Sequence, residues 1–521
     1  MGISVGKLSE WAEGRSRFAS GQAIVAYLAA ATFLLHFIFS RNYGFFVDEL
    51  YFLACSDHLD WGYVDHPPLI ALVTWVERSL FGDSLTAIRF FPAVASGGLV
   101  WLTGKIARQL GGKRFAQILA VLCVIVAPVY LVLYHLLTMN AFEPLIWMGC
   151  AYLVIQIIQT GNQKLWLWFG LLAGVGLQNK HSMLFFGFGV VAGLLLTPER
   201  RTFRDRWIWL GGLIALAVFL PNLIWQIQRD FPTIELLMNV HASGRNVALS
   251  SLGFLAQQGL LMHPLTLPIW LAGLWWYFRS REGMPYRVLG WTYVVILAGM
   301  LVLRGRVYYL APAYPMLFAA GAIAVQSFAE RRRWTWLKPV YASALVLTGA
   351  ALAPAMIPVL PVETYIRYTQ MIGFQPPRIE THRLGPLHQL YADQFGWEEM
   401  AAATARAYHA LPPEVRAKTA IFGNNYGQAG AIDLFGSKYG LPKAIATHQN
   451  YFYWGPREYT GESVLILGDT KEDAAQVCKE VEEVGEVYHR YSMPYQHFMI
   501  LHCRGLKEPI HVLWPRLRRW G

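Results

Sequence analysis

The stretch RNYGFFVDELYFLACSDHLDWGYVDHPPL, residues 41–69, decides the fold. It follows an apolar segment of about 20 residues, which is long enough to cross the hydrocarbon core of a bilayer. Carboxylates are rare at such a place, because an Asp at the centre of a membrane helix costs about 2.5–3.5 kcal/mol. Nevertheless, Asp48, Glu49 and Asp65 all occur here among aromatic residues. We therefore interpret the stretch as a functional loop at a membrane surface, with the rest of the chain as its scaffold.

The composition of the whole chain is that of a membrane protein. Of the 521 residues, 55% are hydrophobic and only 15% are charged, which leaves too little polar surface for an ordinary soluble protein. The net charge of +11 would suit a nucleic-acid-binding protein, but Lys and Arg are concentrated in short loops between apolar segments. That pattern sets membrane orientation, and we expect no nucleic-acid partner.

The apolar segments predict a polytopic α-helical membrane protein with about 11 spanning helices. We interpret the first segment as an uncleaved anchor rather than a signal peptide, because it is long and further segments follow. Residues 69–82 are too short to span and suit a helix lying in the membrane interface. The predicted spans lie near residues 21–40, 85–104, 115–134, 141–158, 165–178, 182–197, 207–228, 252–278, 288–303, 308–328 and 338–360.

Loop charges and composition predict the orientation and the domains. Lys and Arg accumulate in alternate loops, which places the polar N-terminus in the cytoplasm and the loop 41–84 on the outer side. From about residue 361 the chain becomes polar and contains no further segment apolar enough to span. We therefore predict a transmembrane domain, residues 1–360, that includes the external loop, and an external domain, residues 361–521.

The external domain has the pattern of a small α/β fold. Its predicted strands are 418–423, 462–468 and 497–503, and its predicted helices are 397–410, 427–438 and 471–483. Cys478 and Cys503 both lie in this domain, and the sequence leaves their pairing open.

The first candidate catalytic residues are Asp48 and Glu49. On a helix, adjacent side chains diverge by about 100°, so the two carboxylates would serve different partners. One could be a general base toward an acceptor hydroxyl, while the other orients a cation or the substrate. The alternative is a pair of charges placed at a helix start to complement the helix dipole.

The second candidate cluster is Asp65 and His66, which we predict to bind substrate. The two prolines that follow hold the backbone extended and then helical, which fixes the direction of both side chains. Asp48, Glu49 and His66 together would also offer oxygen and nitrogen ligands for a divalent cation, the one cofactor that the sequence suggests.

The remaining candidates lie in short turns on the predicted outer side. Lys180 and Arg306 stand beside apolar walls, as a lipid-linked phosphate requires, because phosphate needs charged donors and its lipid needs hydrocarbon. Alternatively, each could be an interface anchor that extends to the head groups. The candidates for the donor phosphate are Lys180, Arg304, Arg306, Tyr308 and Tyr309, and those for the substrate are Asn140, Glu143 and His181.

Several motifs together resemble the GT-C superfamily of integral-membrane glycosyltransferases. The similarity is to the bacterial branch that includes relatives of protein O-mannosyltransferases and the lipid A aminoarabinose transferase, and it covers residues 20–360 well. The motifs are VDELYF (47–52), YVDHPPLIAL (63–72), LTAIRFFPAVASG (85–97), LTMNAFEPLIW (137–147), GLQNKHSMLF (176–185), RVYYLAPAYP (306–315) and, in the tail, YGQAGAIDLFGSKYGLP (426–442).

The resemblance implies an inverting transferase that takes a sugar from a polyprenyl-phosphate donor on the non-cytoplasmic face of the bacterial inner membrane. It gives the role of base to Asp48, and contact with the donor to Lys180 and the tyrosines at 308 and 309. Many relatives have an Asp in the second external turn, where this chain has Asn140 followed by Glu143. The acceptor would be a hydroxyl or phosphate of a lipid, a glycan or a protein.

Two other classes of function remain open. A transporter or flippase of polyprenyl lipids or glycolipids would also have many spans, although no repeat symmetry is visible in the sequence. A non-catalytic accessory subunit could bind the same lipid without a working base. Replacing Asp48 by Asn separates the accessory protein from the enzyme.

Overall fold

A computed structural model of the chain describes residues 20–245, 247, 249–376, 378 and 380–521. The N-terminal segment predicted to be cytoplasmic, residues 1–19, lies outside the described residues. The chain forms two compact units. The described residues of the first fall within Met1–Ser40, Arg89–Leu220 and Ala248–Pro361, and those of the second fall within Arg41–Ile88, Pro221–Val247 and Val362–Gly521.

Long apolar helices dominate the first unit. In the described part of the chain, seven helices are long and apolar enough to cross a membrane, or eight if a pair bent by 107° is one span. The seven are Gly21–Phe39, Leu85–Gln109, Met139–Thr160, Arg206–Gln228, Met284–Val302, Val307–Arg331 and Leu337–Met356, and the bent pair is Met183–Leu195 with Pro198–Arg204. The chain is therefore a multi-pass α-helical protein.

The number of long spans is smaller than the predicted 11 because prolines interrupt several of the helical segments. Pro128 separates Arg114–Val126 from Pro128–Leu133, and Pro264 lies between Ser251–Leu261 and Leu267–Arg279. A proline has no amide proton and its ring clashes with the preceding turn. The predicted span at 165–178 is a helix of 15 residues, Leu165–Asn179.

The second unit contains a four-stranded sheet with strand order β1-β2-β4-β3. The strands are β1 (Thr419–Gly423), β2 (Ser463–Leu467), β3 (Cys478–Val487) and β4 (Phe498–Leu506). β1 and β2 are parallel, and β4 runs antiparallel to both β2 and β3. All three predicted strands are therefore present, and the α/β interpretation of the C-terminal segment is confirmed.

The second unit also contains helices, and the first of them belong to the external loop. They are Val47–Ser56, Leu69–Phe81, Leu85–Ile88, Pro232–Ala242, Val362–Met371, Gln389–Ala392, Trp397–Ala410, Pro413–Arg416, Tyr426–Phe435, Tyr451–Trp454, Lys471–Val477 and Ile510–Arg516. Leu69–Phe81, the predicted interfacial helix, buries Ile70 and Glu77 on one side and exposes Leu72 and Trp75 on the other. Such a two-sided helix suits a membrane interface.

The predicted helix 471–483 was wrong in its second half. The helix ends at Val477, and the chain continues as β3, which pairs with β4 at the edge of the sheet. The Glu-rich sequence of β3 suits an exposed edge strand, where charged side chains discourage further pairing. Cys478 forms a disulfide bond with Cys503, and their Cα atoms are 5.7 Å apart.

The loop 41–84 groups with the C-terminal segment and not, as predicted, with the transmembrane helices. The helix Val47–Ser56 packs against Tyr426–Phe435, and glycines allow this close approach. A Cβ atom on Gly430 would lie 2.8 Å from the carbonyl oxygen of Leu50, and one on Gly427 would collide with the side chain of Val47. The YGQAG part of the tail motif thus serves to bring two backbones together.

Candidate active site

Asp48 and Glu49 occupy the first turn of the helix Val47–Ser56 and have different roles. The fully buried Glu49 carboxylate accepts a hydrogen bond from the backbone amide of Phe46, at 2.8 Å, which caps the start of the helix. Asp48 is only partly buried, and its Oδ1 accepts a hydrogen bond from the hydroxyl of Tyr426, at 2.7 Å. Of the two predicted catalytic carboxylates, Glu49 has the structural role that we considered as the alternative, and Asp48 remains the candidate base.

Tyr426 is held between two other aromatic rings. Its ring stacks on Tyr51 with centroids 4.7 Å apart, and on the imidazole of His448 at 5.0 Å. The backbone amide of Tyr426 also donates to Nδ1 of His448, at 3.2 Å. The hydroxyl that meets Asp48 is therefore fixed from both faces of its ring and from its backbone.

Asp65 contacts this aromatic stack through Tyr51. The hydroxyl of Tyr51 donates to Oδ1 of Asp65 at 3.2 Å and accepts from the backbone amide of Asn450 at the same distance. The Asn450 side chain in turn accepts from the amide of Val64, at 2.7 Å. The C-terminal segment thus contributes directly to the surroundings of both predicted acidic clusters.

The residues of the predicted metal site do not converge. His66 is fully buried, and its Nδ1 lies 2.9 Å from the carbonyl oxygen of Pro67, while Glu49 is engaged by the Phe46 amide. Across residues 20–521, apart from the few undescribed positions, no group of three His, Cys, Asp or Glu side chains is placed to hold a metal ion. Asp48, Glu49 and His66 therefore do not fit a common cation.

Burial has the largest effect on the pKa of Asp48. Loss of hydration raises the pKa of Asp48 to about 6, although the hydrogen bond from Tyr426 opposes this shift. The negative charges of Asp65 and Glu380 raise this pKa further, and the positive charge of Arg245 lowers it. At neutral pH, Asp48 is thus mostly ionised, and the pH is close enough to its pKa for the carboxylate to accept and release a proton.

Two further acidic residues were missed by the sequence analysis. Glu380 pairs with Arg245 at 3.2 Å, and the buried Asp393 accepts from the hydroxyl of Tyr495. Burial raises the pKa of Asp393 to about 7, with a smaller contribution from the charge of Asp48. Glu380 and Asp393 lie in the C-terminal tail, 332 and 345 positions after Asp48, and no motif near them indicated a link with Asp48.

The predicted phosphate-binding residues form a separate cluster in the first unit. The ammonium group of Lys180 donates to Oδ1 of Asn140 at 2.7 Å and to Oε2 of Glu143 at 3.0 Å. It also lies 4.4 Å from the ring centroid of Tyr309 and 5.8 Å from that of Tyr308. Four residues predicted from two other turns are thus brought together around the ammonium group of Lys180.

Helix geometry explains this convergence. Asn140 and Glu143 are three residues apart in the helix Met139–Thr160 and therefore lie on the same face. Lys180 follows the end of Leu165–Asn179, in an extended conformation that directs the chain out of the helix. The Ser182 hydroxyl donates to the other oxygen of Glu143, so this carboxylate holds two groups of the following turn.

The other predicted residues of this set lie at its margin. The Arg306 guanidinium lies 3.5 Å from the hydroxyl of Tyr308. The ring of His181 packs against Phe219 with centroids 5.9 Å apart. Arg304 is exposed in the turn that follows the helix Arg287–Val302.

Comparisons with known proteins agree with this architecture. Residues 65–225 match the family model described as dolichyl-phosphate-mannose-protein mannosyltransferase. The chain is 29% identical over 256 residues to the lipid A galacturonosyltransferase RgtD of Rhizobium johnstonii. That match covers 46% of this chain and 50% of RgtD, so the chain spans half the length of this relative.

Solved structures resemble the fold over a larger part of the chain. ArnT from Cupriavidus metallidurans, bound to undecaprenyl phosphate, superposes with a TM-score of 0.59 at 14% identity, over 92% of this chain and 97% of ArnT. The oligosaccharyltransferase of Archaeoglobus fulgidus superposes with a TM-score of 0.51 at 12% identity, over 82% of this chain and 64% of that protein. These likenesses show that the chain shares the fold of ArnT and of the oligosaccharyltransferase, and residues 65–225 are similar in sequence to the mannosyltransferase family.

Proposed function

We propose that this protein is an inverting glycosyltransferase that moves a sugar from a polyprenyl-phosphate donor to an acceptor hydroxyl or phosphate. The observation that carries the proposal is the environment of Asp48. This carboxylate is partly buried, is held at one oxygen by Tyr426, and has a pKa of about 6. A general base works best when its pKa lies near the working pH, and such a base contributes about 10²–10⁴ in rate.

In the proposed reaction, Asp48 takes the proton of the acceptor as its oxygen attacks the anomeric carbon. The bond between that carbon and the phosphate oxygen breaks, and the electron pair leaves with the polyprenyl phosphate. A single displacement of this kind inverts the configuration at the anomeric carbon. Among the described residues, the only hydrogen bond of the Asp48 side chain is the one to Oδ1, so Oδ2 is left to receive the proton.

Lys180 is proposed to neutralise charge on the departing phosphate. Its ammonium group is held by Asn140 and Glu143 and packs over Tyr309, so it is oriented before any ligand binds. A positioned cation is more effective than a mobile one, because no reorganisation is needed during the reaction. Arg306, beside Tyr308, is the second candidate for this role.

The relatives support the substrate classes of this proposal. The ArnT structure contains undecaprenyl phosphate, which supports a polyprenyl-phosphate donor, and RgtD acts on lipid A, which supports a lipid acceptor. We propose the bacterial inner membrane as the location, with the C-terminal segment on the outer side. The Cys478–Cys503 disulfide supports this orientation, because such bonds persist mainly outside the reducing cytoplasm.

The test is sugar transfer by purified protein in lipid nanodiscs. Polyprenyl phosphates carrying labelled galacturonic acid, aminoarabinose or mannose are offered with lipid A, and wild type is compared with Asp48→Asn. The matched control is Asp83→Asn, since Asp83 is an exposed carboxylate of the same external loop that pairs with Arg78. Transfer that is lost in Asp48→Asn and retained in Asp83→Asn supports the proposal.

Other outcomes distinguish the alternatives. A broad panel of donors that is never consumed, even with a bacterial lysate as the acceptor source, would overturn the enzyme and favour a lipid transporter or flippase. Transfer that is unchanged in Asp48→Asn would remove Asp48 from the mechanism. An accessory protein would keep its lipid binding in both variants and show transfer in neither.

A further inference from the structure

We propose that Tyr426, in the C-terminal segment, is a positioning residue for Asp48: it holds one carboxylate oxygen and thereby presents the other to the acceptor. This inference rests on the proposed function, because it assumes that Asp48 is the base. It gives the tail motif at 426–442 a direct part in the reaction. The tail would then be part of the reacting centre as well as a folded support for the external loop.

The contact itself is specific. The Tyr426 hydroxyl donates to Oδ1 of Asp48 at 2.7 Å, across 378 positions in the chain. A hydrogen bond to an ionised group is stronger than a bond between neutral groups. Such a bond restricts rotation of the carboxylate, so that the same oxygen is available in each catalytic cycle.

The aromatic ring that carries this hydroxyl cannot easily move. Tyr51 and His448 cover its two faces, at 4.7 Å and 5.0 Å between centroids, and both are almost completely buried. The His448 ring is within 8° of parallel to the Tyr426 ring, and its Nδ1 accepts from the Tyr426 amide. A tyrosine serving only as packing would not need its hydroxyl end to be aligned in this way.

The backbone before Tyr426 is fixed by a reciprocal helix cap. The side chain of Asn425 accepts from the amide of Gln428 at 2.9 Å, and the Gln428 side chain accepts from the amide of Asn425 at 3.2 Å. This cap makes Tyr426 the first residue of its helix. Gly427 and Gly430 then allow the helix to approach Val47–Ser56 closely enough for the hydroxyl to reach Asp48.

The contact also favours the charged form of the base. The hydrogen bond from Tyr426 lowers the pKa of Asp48 against the larger effect of burial. The other groups that act on Asp48 are Asp65 and Glu380, which raise its pKa, and Arg245, which lowers it. Asp393 is a further neighbouring carboxyl group, since the charge of Asp48 raises its pKa.

The experiment is a comparison of pH–rate profiles for transfer by wild type and Tyr426→Phe. Phenylalanine keeps the stacked ring and removes only the hydroxyl. We expect the acid limb of the profile to move to higher pH by about 1 unit, which corresponds to a bond of about 1.4 kcal/mol. At pH 6 the rate should fall about tenfold or less, while the KM for the donor stays the same.

The matched control is Tyr451→Phe. Tyr451 is buried in the same unit and its hydroxyl also donates to a carboxylate, Asp433, at 2.9 Å. This control removes the same kind of bond away from Asp48, so the acid limb should not move. An unmoved acid limb in Tyr426→Phe, or an equal shift in both variants, would overturn the inference.

Two additions keep the test decisive. If Tyr426→Phe fails to fold, 3-fluorotyrosine at position 426 keeps the bond and makes the hydroxyl a stronger donor, so the acid limb should move to lower pH.

If wild type transfers no sugar from any donor, the proposed function fails. The contact can then be tested alone by infrared titration of the Asp48 carboxyl, identified as the band missing in Asp48→Asn. A titration midpoint that is equal in wild type and Tyr426→Phe would refute the role of Tyr426.

Discussion

Replacing Lys180 by Met should destabilise the first unit strongly, because it leaves the Glu143 carboxylate buried without its cation. Glu143 is only 4% exposed and lies 3.0 Å from the Lys180 ammonium group, which is 16% exposed. Removing one partner of a buried ion pair costs about 3–5 kcal/mol. The Ser182 hydroxyl still donates to Glu143, so we expect a loss near the lower end, about 3 kcal/mol.

A double-mutant cycle isolates the interaction between the two residues. Lys180→Met with Glu143→Gln leaves no buried charge, and we expect it to recover at least about 2 kcal/mol relative to Lys180→Met. The exposed pair Lys438 and Glu398, with the same type of contact at 2.9 Å, is the matched control. Exposed pairs couple by less than about 1 kcal/mol.

The assay is reversible unfolding by denaturant in mixed micelles, followed by fluorescence. Undecaprenyl phosphate is then titrated onto wild type and the double variant. Loss of one charged contact to phosphate should weaken binding about 10–100-fold. A coupling energy no larger than that of the control pair would refute the buried-pair argument, and an unchanged affinity would refute the phosphate role of Lys180.

Four further outcomes are expected. Transfer by wild type should decrease tenfold per pH unit below about pH 6, since Asp48 must be ionised to act as base; a profile that is flat between pH 4 and 6 would contradict this. Asp48→Asn should lower kcat by about 10²–10⁴ without lowering the unfolding midpoint, because burial disfavours the charge that this substitution removes. Glu49→Ala should instead lower stability by about 1–3 kcal/mol, measured by the same unfolding assay, because the Phe46 amide loses its acceptor. Replacing Cys478 and Cys503 by Ala should cost about 3–4 kcal/mol, as expected for a disulfide that closes a loop of 25 residues; alkylation of untreated protein should show both thiols protected.

The sequence predicts those features that depend on local pattern. Apolar segments locate the membrane helices, and the strands near 420, 465 and 500 follow from short apolar runs between turns. β3 was missed because its many Glu residues resemble an exposed helix face, and only pairing with β4 makes it a strand. The interruptions at Pro128 and Pro264 reduce the length of spans whose apolar composition is otherwise sufficient.

The candidate site was predictable where a short motif carries the chemistry. Asp48 and Lys180 were both identified from their position next to apolar segments, and Asn140 and Glu143 were found in the motif that places them beside Lys180. The partner of Asp48 could not be found in this way. Tyr426 is 378 positions away, and one sequence contains no signal for a contact over that distance. The sequence also could not show that Glu49, and not the adjacent Asp48, caps the helix.

The close contact of Gly430 with Leu50 limits how segments of this protein can be exchanged with those of its relatives. An external loop from one relative and a tail from another would combine two backbones that were not selected to fit, and a single added methyl group at this contact would separate them. We therefore expect residues 41–69 and 424–450 to function only when both come from the same protein. Chimeras that aim to change acceptor specificity should exchange both segments at once.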